Sequence, residues 1–234
     1  MSLRGHVVLL VLAAVGADAA AAERTLKDLR ATPPQVRAGE KVEPDADRAR
    51  DLYRGFLETE AGDPALRTEA LRRLGDLELD AGEAARGEVP VAGAGSPETR
   101  AAIGIYTRLL AEQPDYPRAD SVLYQLARAW EAEGEADKAL ARLDELVARF
   151  PGSRHIDEAQ FRRGEILFSA QRWHDAELAY AAVVAAGPGS EFHEQALYKH
   201  GWSLFKQSQT ELSAQSFLGL LDRKLSDPGA EDGT

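Results

Sequence analysis

The chain has 234 residues, 44% of them apolar and 29% charged, a balance that suits one domain or a short repeat array and excludes disorder throughout. Its 28 Lys and Arg against 39 Asp and Glu leave a net charge of −11, which repels a phosphate backbone and argues against a nucleic-acid partner. With no cysteine, the chain offers no thiolate nucleophile, disulfide, Cys-ligated zinc, iron–sulfur cluster or cysteine-linked lipid.

The N-terminus reads as an export leader. Arg4 is followed by an unbroken apolar stretch from Val7 to Ala17, shorter than the ~20 residues a membrane-spanning helix needs. Ala17 and Ala19 form the small-x-small pattern of a cleavage site, so residues 1–19 are expected to be removed, with Ala20, Ala21 and Ala22 as neighbouring alternatives. The remainder has no long apolar run and is expected to be periplasmic, since a cysteine-free exported chain suits that compartment better than a disulfide-stapled extracellular one. Residues 20–44, with Pro33, Pro34, Gly39 and Pro44 among charges, are expected to form a disordered linker.

An interval of 37 residues organises the chain beyond that linker. Ala102, Ala139, Ala176 and Ser213 recur at that spacing, as do Tyr106, Leu143, Tyr180 and Phe217, then Leu109, Leu146, Val183 and Leu220. Pro114, Pro151 and Pro188 keep the same interval, and so do Tyr124, Phe161 and Tyr198, and Ala127, Gly164 and Gly201. Self-similarity at such a period marks a solenoid. Ala139, Leu143 and Leu146 fall at i, i+4 and i+7, so each unit is helical. Two helices per unit are separated by short turns such as the one at Gly134, and Pro-Gly ends the second helix at 151–152 and 188–189. Helices are expected near 45–59, 65–82, 97–113, 118–133, 136–149, 155–170, 173–186, 191–207 and 211–225. They give an all-α α-solenoid of antiparallel helix pairs over residues 45–225, with an inserted loop at 83–97 and a disordered tail at 226–234; resemblance to a known helical-repeat family implies that it is right-handed. The recurring glycines imply close helix approach, here expected against the methyls of Ala139 and Ala176.

The set Leu126-Ala127, Trp130, Gly134, Ala139, Leu143, Leu146 and Pro151 resembles the tetratricopeptide repeat, whose usual period is 34 residues. Phe150-Pro151-Gly152-Ser153 before Asp157-Glu158-Ala159, and Ala196 to Gly201, look like the periplasmic branch of that family, which includes outer-membrane-assembly lipoproteins and a Tol-Pal-associated coordinator of envelope constriction. Arg163 and His200 depart from the family, standing where leucine is usual. The apolar last helix, with Phe217, Leu218, Leu220, Leu221 and Leu225, lacks the polar cap that solenoids need. It implies either a self-associating end or a chain that is the N-terminal part of a longer repeat protein.

Catalytic signatures are missing. His193 and His200 stand seven apart, outside the i, i+3 or i+4 spacing of a helical metal pair, and no phosphate-binding or nucleophile-elbow motif occurs. No metal, cofactor or enzymatic activity is expected. The resemblance implies instead a concave groove lined by the first helix of each pair, holding Tyr124, Arg128 and Glu131, then Phe161, Glu165 and Phe168, then Tyr198, Trp202 and Phe205. Such residues suit protein recognition, rings supplying area and polar groups fixing register. The expected function is a non-catalytic periplasmic scaffold that binds envelope proteins in envelope biogenesis or cell division. The alternatives are a self-assembling structural unit or an accessory that presents substrate to a cell-wall enzyme.

Overall fold

A computed structural model of the chain describes residues 45–59, 63–86 and 95–226. The expected leader, the linker, most of the inserted loop and the tail lie outside those residues. Among the described residues there are nine helices and no strand: α1 (Ala46–Glu58), α2 (Pro64–Ala85), α3 (Pro97–Glu112), α4 (Ala119–Ala132), α5 (Ala136–Arg149), α6 (Ile156–Ser169), α7 (Trp173–Ala186), α8 (His193–Lys206) and α9 (Thr210–Ser226). Each packs on the next in the chain, giving an all-α solenoid of hairpins α2–α3, α4–α5, α6–α7 and α8–α9, led by α1. Helix α2 runs three residues past its expected end, into the stretch anticipated as loop.

Local chemistry sets the helix ends. Asp45, Asp63 and Ser96 cap α1, α2 and α3 by accepting backbone N–H bonds of 2.9, 2.9 and 3.0 Å, and Pro64 and Pro97 occupy first-turn positions where no donor is lost. The turn inside three hairpins repeats at the same interval: Gly134, Gln171 and Ser208 have φ of 78°, 60° and 63°. Behind each, a 6→1 backbone bond closes the helix end, from Glu135 to Trp130, Arg172 to Leu167 and Gln209 to Leu204.

The 37-residue register is a register of burial. Ala102, Ala139 and Ala176 are wholly buried, and Ser213 nearly so, its hydroxyl donating to the Gly201 carbonyl at 2.9 Å. Tyr106, Leu143 and Tyr180 are also fully enclosed, each worth roughly 1.5–3 kcal/mol of burial.

The close approaches lie against rings rather than against the methyls of Ala139 and Ala176. A β-carbon on Gly75 would meet Tyr106 at 2.5 Å, one on Gly201 would meet Phe217 at 2.7 Å, and one on Gly164 would collide with Tyr180. Where the smaller Leu143 replaces the ring, alanine replaces glycine at 127. The next residue follows suit: Tyr106 donates its hydroxyl to Asp76 at 2.8 Å and Tyr180 to Glu165 at 2.5 Å, whereas Phe217 lies 6.0 Å from the Trp202 ring. Each hairpin is therefore matched internally in volume, and α2–α3, α6–α7 and α8–α9 in polarity as well, whereas Arg128, next to Ala127, bonds Glu83 and Gln125 instead.

At the register of the buried Leu126, Arg163 bonds Asp144 at 2.7 Å, and His200 lies 2.6 Å from the Ser216 hydroxyl and 3.3 Å from Glu177. These polar replacements link neighbouring helices at the edge of the core instead of filling it.

Candidate protein-binding groove

The first helices α2, α4, α6 and α8 are tied side by side by one ion pair at each step. Arg128 on α4 reaches back to Glu83 on α2 at 2.5 Å, Arg162 on α6 to Glu131 on α4 at 2.6 Å, and Lys199 on α8 to Glu165 on α6 at 2.9 Å. At every step the base belongs to the later helix. Arg162 and Lys199 share one register position, 37 residues apart.

In the N-terminal half these contacts close the surface. Tyr124 is only 6% exposed, because the His155 ring stacks on it at 4.4 Å and 8° and the Arg162 guanidinium lies 5.8 Å from its centroid. Burial, then the neighbouring Glu158, pushes the Tyr124 hydroxyl up to about 12. Arg128 is fully engaged, its second nitrogen bonding Gln125 at 3.0 Å. Burial holds the Glu131 carboxyl above the usual carboxylate range although Arg162 opposes it. Burial also works against Glu158, but hydrogen bonds from Tyr124 and Arg162 bring it below that range. This part of the face is a polar lattice whose charges satisfy one another.

The middle is transitional. Phe161 is half-buried, stacked on Phe192 at 5.3 Å and edge-on to Tyr180 at 5.8 Å. Phe168 meets Trp173 edge-on at 4.9 Å, with the Lys199 ammonium 5.4 Å from its ring. Glu165 accepts from both Tyr180 and Lys199, which fixes it beside both rings.

The C-terminal part is open and aromatic. Tyr198 is 45% and Phe205 51% exposed, Trp202 is half-buried between them, and Phe217 backs the set from α9. Ring centroids are 6.2 Å apart for Tyr198–Trp202, 5.6 Å for Trp202–Phe205 and 6.0 Å for Tyr198–Phe217. Beside them lies a depression of about 490 Å³ lined by Phe161, Tyr198 and Leu220, with Glu165, Glu194 and Lys199 at its polar edge. Edge-to-face rings of this kind make a rigid apolar floor with little entropy to lose on binding.

The nine residues expected in the groove thus separate into a closed polar group, Tyr124, Arg128 and Glu131, and a group with accessible rings from Phe161 onward. Sequence reasoning passed over Arg162, Lys199, His155 and Phe217. The 37-residue interval relates Arg162 to Lys199 and already contained Phe217 as a core position, but their acidic partners sit 31 and 34 residues away and follow no single period. Among the described residues, no cluster of three His, Asp or Glu side chains gathers to hold a metal, and no helix is long and apolar enough to cross a membrane.

This stack of helical hairpins has the architecture of tetratricopeptide repeat proteins. Residues 98–160 match the tetratricopeptide repeat family model, covering α3 to the start of α6. Solved structures agree over most of the chain. The MamA protein superposes with a TM-score of 0.61 at 17% identity, covering 81% of this chain and 88% of that one. YrrB, described as a TPR protein with an unusual peptide-binding site, gives 0.54 at 19% identity, over 76% and 77%. A tetratricopeptide repeat protein from Parabacteroides merdae gives 0.57 at 20% identity, over 78% and 62%. No curated protein matches the sequence.

Proposed function

We propose that this protein is a non-catalytic scaffold of the bacterial periplasm that holds envelope proteins together through the groove of its first helices, in envelope biogenesis or cell division. The observation that carries the reading is the accessible aromatic floor of Tyr198, Trp202 and Phe205 beside a fixed Glu165–Lys199 pair. Exposed rings next to oriented charges are what a protein-recognition surface uses: the rings supply desolvated area and the charges set register. The leader pattern from Val7 to Ala19 supports export, and the absence of cysteine supports the periplasm over the cell exterior. The likeness to YrrB adds a repeat protein of similar fold whose described property is peptide binding.

Only the C-terminal part of the groove is assigned the contact energy. In the N-terminal part Arg128, Glu131 and Arg162 are already paired, so a partner gains little there without breaking those bonds. The test is a quantitative pull-down from an envelope fraction with wild type, Trp202→Ala, Tyr198→Ala and, as a control away from the rings, Leu178→Ala. Leu178 is 54% exposed on α7. Each ring variant is expected to lose roughly tenfold or more of partner recovery with unchanged helical circular dichroism, while Leu178→Ala retains it. Equal recovery with all four proteins overturns the groove assignment.

A further inference from the structure

Between successive second helices, over the first helix that separates them, the chain bridges the gap with its own side chains at two of three steps. Over α6, Arg163 reaches back to Asp144 of α5 at 2.7 Å. Over α8, 37 residues on, the His200 ring lies 3.3 Å from Glu177 of α7 and 2.6 Å from Ser216 of α9. Over α4 the positions of Arg163 and Asp144 are held by Leu126 and Thr107, which form no such bridge. A cleft of about 290 Å³ remains there, lined by Thr107 and Leu110 of α3, Leu126 and Trp130 of α4, and Lys138 and Arg142 of α5. The cleft is internal to the array, since α3 and α5 each carry the first helix that follows them. Its floor is apolar: Leu126 is 2% exposed, and Leu110 and Trp130 pack on the core.

The mouth is basic. The Lys138 ammonium lies 4.4 Å from the Trp130 ring centroid, and its 3.2 Å pair with Glu135 is exposed on both sides and therefore weak. Arg142, one turn further along α5, is 2.8 Å from Glu145. That carboxylate also takes Arg149 at 2.5 Å, so two guanidiniums share one acid and a positive charge is left over. We propose that the cleft is a binding site for a small apolar carboxylate. A compact ring or branched chain lies against Leu126 and Trp130, and its carboxylate accepts hydrogen bonds from Lys138 and Arg142. The volume admits about ten water-sized groups, hence a ligand of roughly ten non-hydrogen atoms. Paired charges flank the cleft, Arg108 with Glu112 on α3 and Asp144 with Arg163 beyond α5, so a longer chain gains no apolar contact by continuing past it. The occupant is a free acid. This assignment is independent of the groove reading, because no residue lining the cleft belongs to the groove.

Titration of the ¹⁵N-labelled full chain with phenylacetate tests it. The three tryptophans give three indole N–H signals, and only that of Trp130 is expected to move, with a Kd of about 1 mM or below. The neutral probe 2-phenylethanol is expected to bind at least fivefold more weakly. Lys138→Gln/Arg142→Gln is expected to bring phenylacetate down to the level of the alcohol. Leu126→Arg/Thr107→Asp copies the bridge of the next step and is expected to weaken binding tenfold or more. Because Leu126 is buried, Ala141→Leu provides a second variant: Ala141 is exposed at the edge of the cleft, and the same register carries Leu178 in α7. It too is expected to weaken binding, with unchanged helical circular dichroism. A Trp130 signal that stays still at about 20 mM phenylacetate overturns the proposal, as does binding that persists in both filled variants. Equal affinity for acid and alcohol overturns the carboxylate assignment, and tenfold tighter binding of an acetylated tetrapeptide ending in phenylalanine overturns the free acid.

Discussion

Gln171 and Ser208 hold a backbone conformation, φ 60° and 63°, that glycine adopts without steric cost and that Gly134 adopts at the equivalent turn. An L-residue there loses ~1–2 kcal/mol, partly regained because a non-glycine residue has less freedom to lose on folding. Gln171 is exposed and its side chain makes no bond that the turn needs. Gln171→Gly is therefore expected to stabilise the fold by about 0.5–1 kcal/mol, and Gly134→Gln to destabilise it by a similar amount, measured by urea unfolding.

The glycine–ring pairs make a sharper test. Gly164→Ala gains helix propensity of ~1 kcal/mol but drives a methyl into the Tyr180 ring, which is fully buried and anchored on Glu165. Net destabilisation of about 1–3 kcal/mol is expected. Adding Tyr180→Leu reproduces the Ala127–Leu143 pair of the neighbouring hairpin and should recover most of the loss, so a double-mutant cycle is expected to show strong coupling. Additive effects would contradict the pairing.

Helix α1 has no fully buried residue: Leu57 packs on the edge of the core and accepts a 2.8 Å bond from Arg67 at its carbonyl, and a charge cluster adds the remaining tie to α2. Glu78 on α2, 1% exposed, is bonded by Arg54 and lies 3.4 Å from Arg50, both on α1. Two guanidiniums on a buried carboxylate hold an element that hydrophobic contact alone holds poorly. Glu78→Gln is expected to cost about 2 kcal/mol, and amide exchange over 46–58 should quicken far more than over α4 and α5. Equal acceleration everywhere would show that α1 and the repeats unfold as one unit.

Helix positions were legible in the sequence because the period of burial is a period of residue type. Helices α5 and α7 fall on their expected bounds, and α4, α6 and α9 lie within one residue of theirs. Pairing was less legible. Nothing in the spacing tells which ring faces Gly164, since the partner lies across a turn, and the Glu78 clasp joins residues 24 and 28 apart with no repeat to mark it. Glu133 reads as a solvated acid in an acidic turn, yet its side chain is 13% exposed, tucked beside Gly95 and 3.5 Å from Arg100. Tyr124 occupies the groove register but lies under His155 and Arg162, a cover supplied by the next hairpin and invisible to a single helix's pattern.

Across the whole molecule, surface character changes from one end of the array to the other. Acid–base pairs between first helices hold α2, α4, α6 and α8 together, and the last of them, Glu165–Lys199, is where the closed lattice gives way to open rings. A partner that docks on Tyr198, Trp202 and Phe205 therefore lies against the final hairpin, whose other helix backs those rings with Phe217 and lines the adjoining depression with Leu220.

The matching of Gly75 with Tyr106, Ala127 with Leu143, Gly164 with Tyr180 and Gly201 with Phe217 has a further consequence for how such an array changes over generations. Exchange of a single helix between units leaves either a hole or a collision, whereas duplication or transplantation of an entire helix–turn–helix carries its own complement with it. The heritable module is the hairpin, and recombination breakpoints that fall between hairpins, near 114–118, 151–155 and 188–192, are the ones that yield folded offspring.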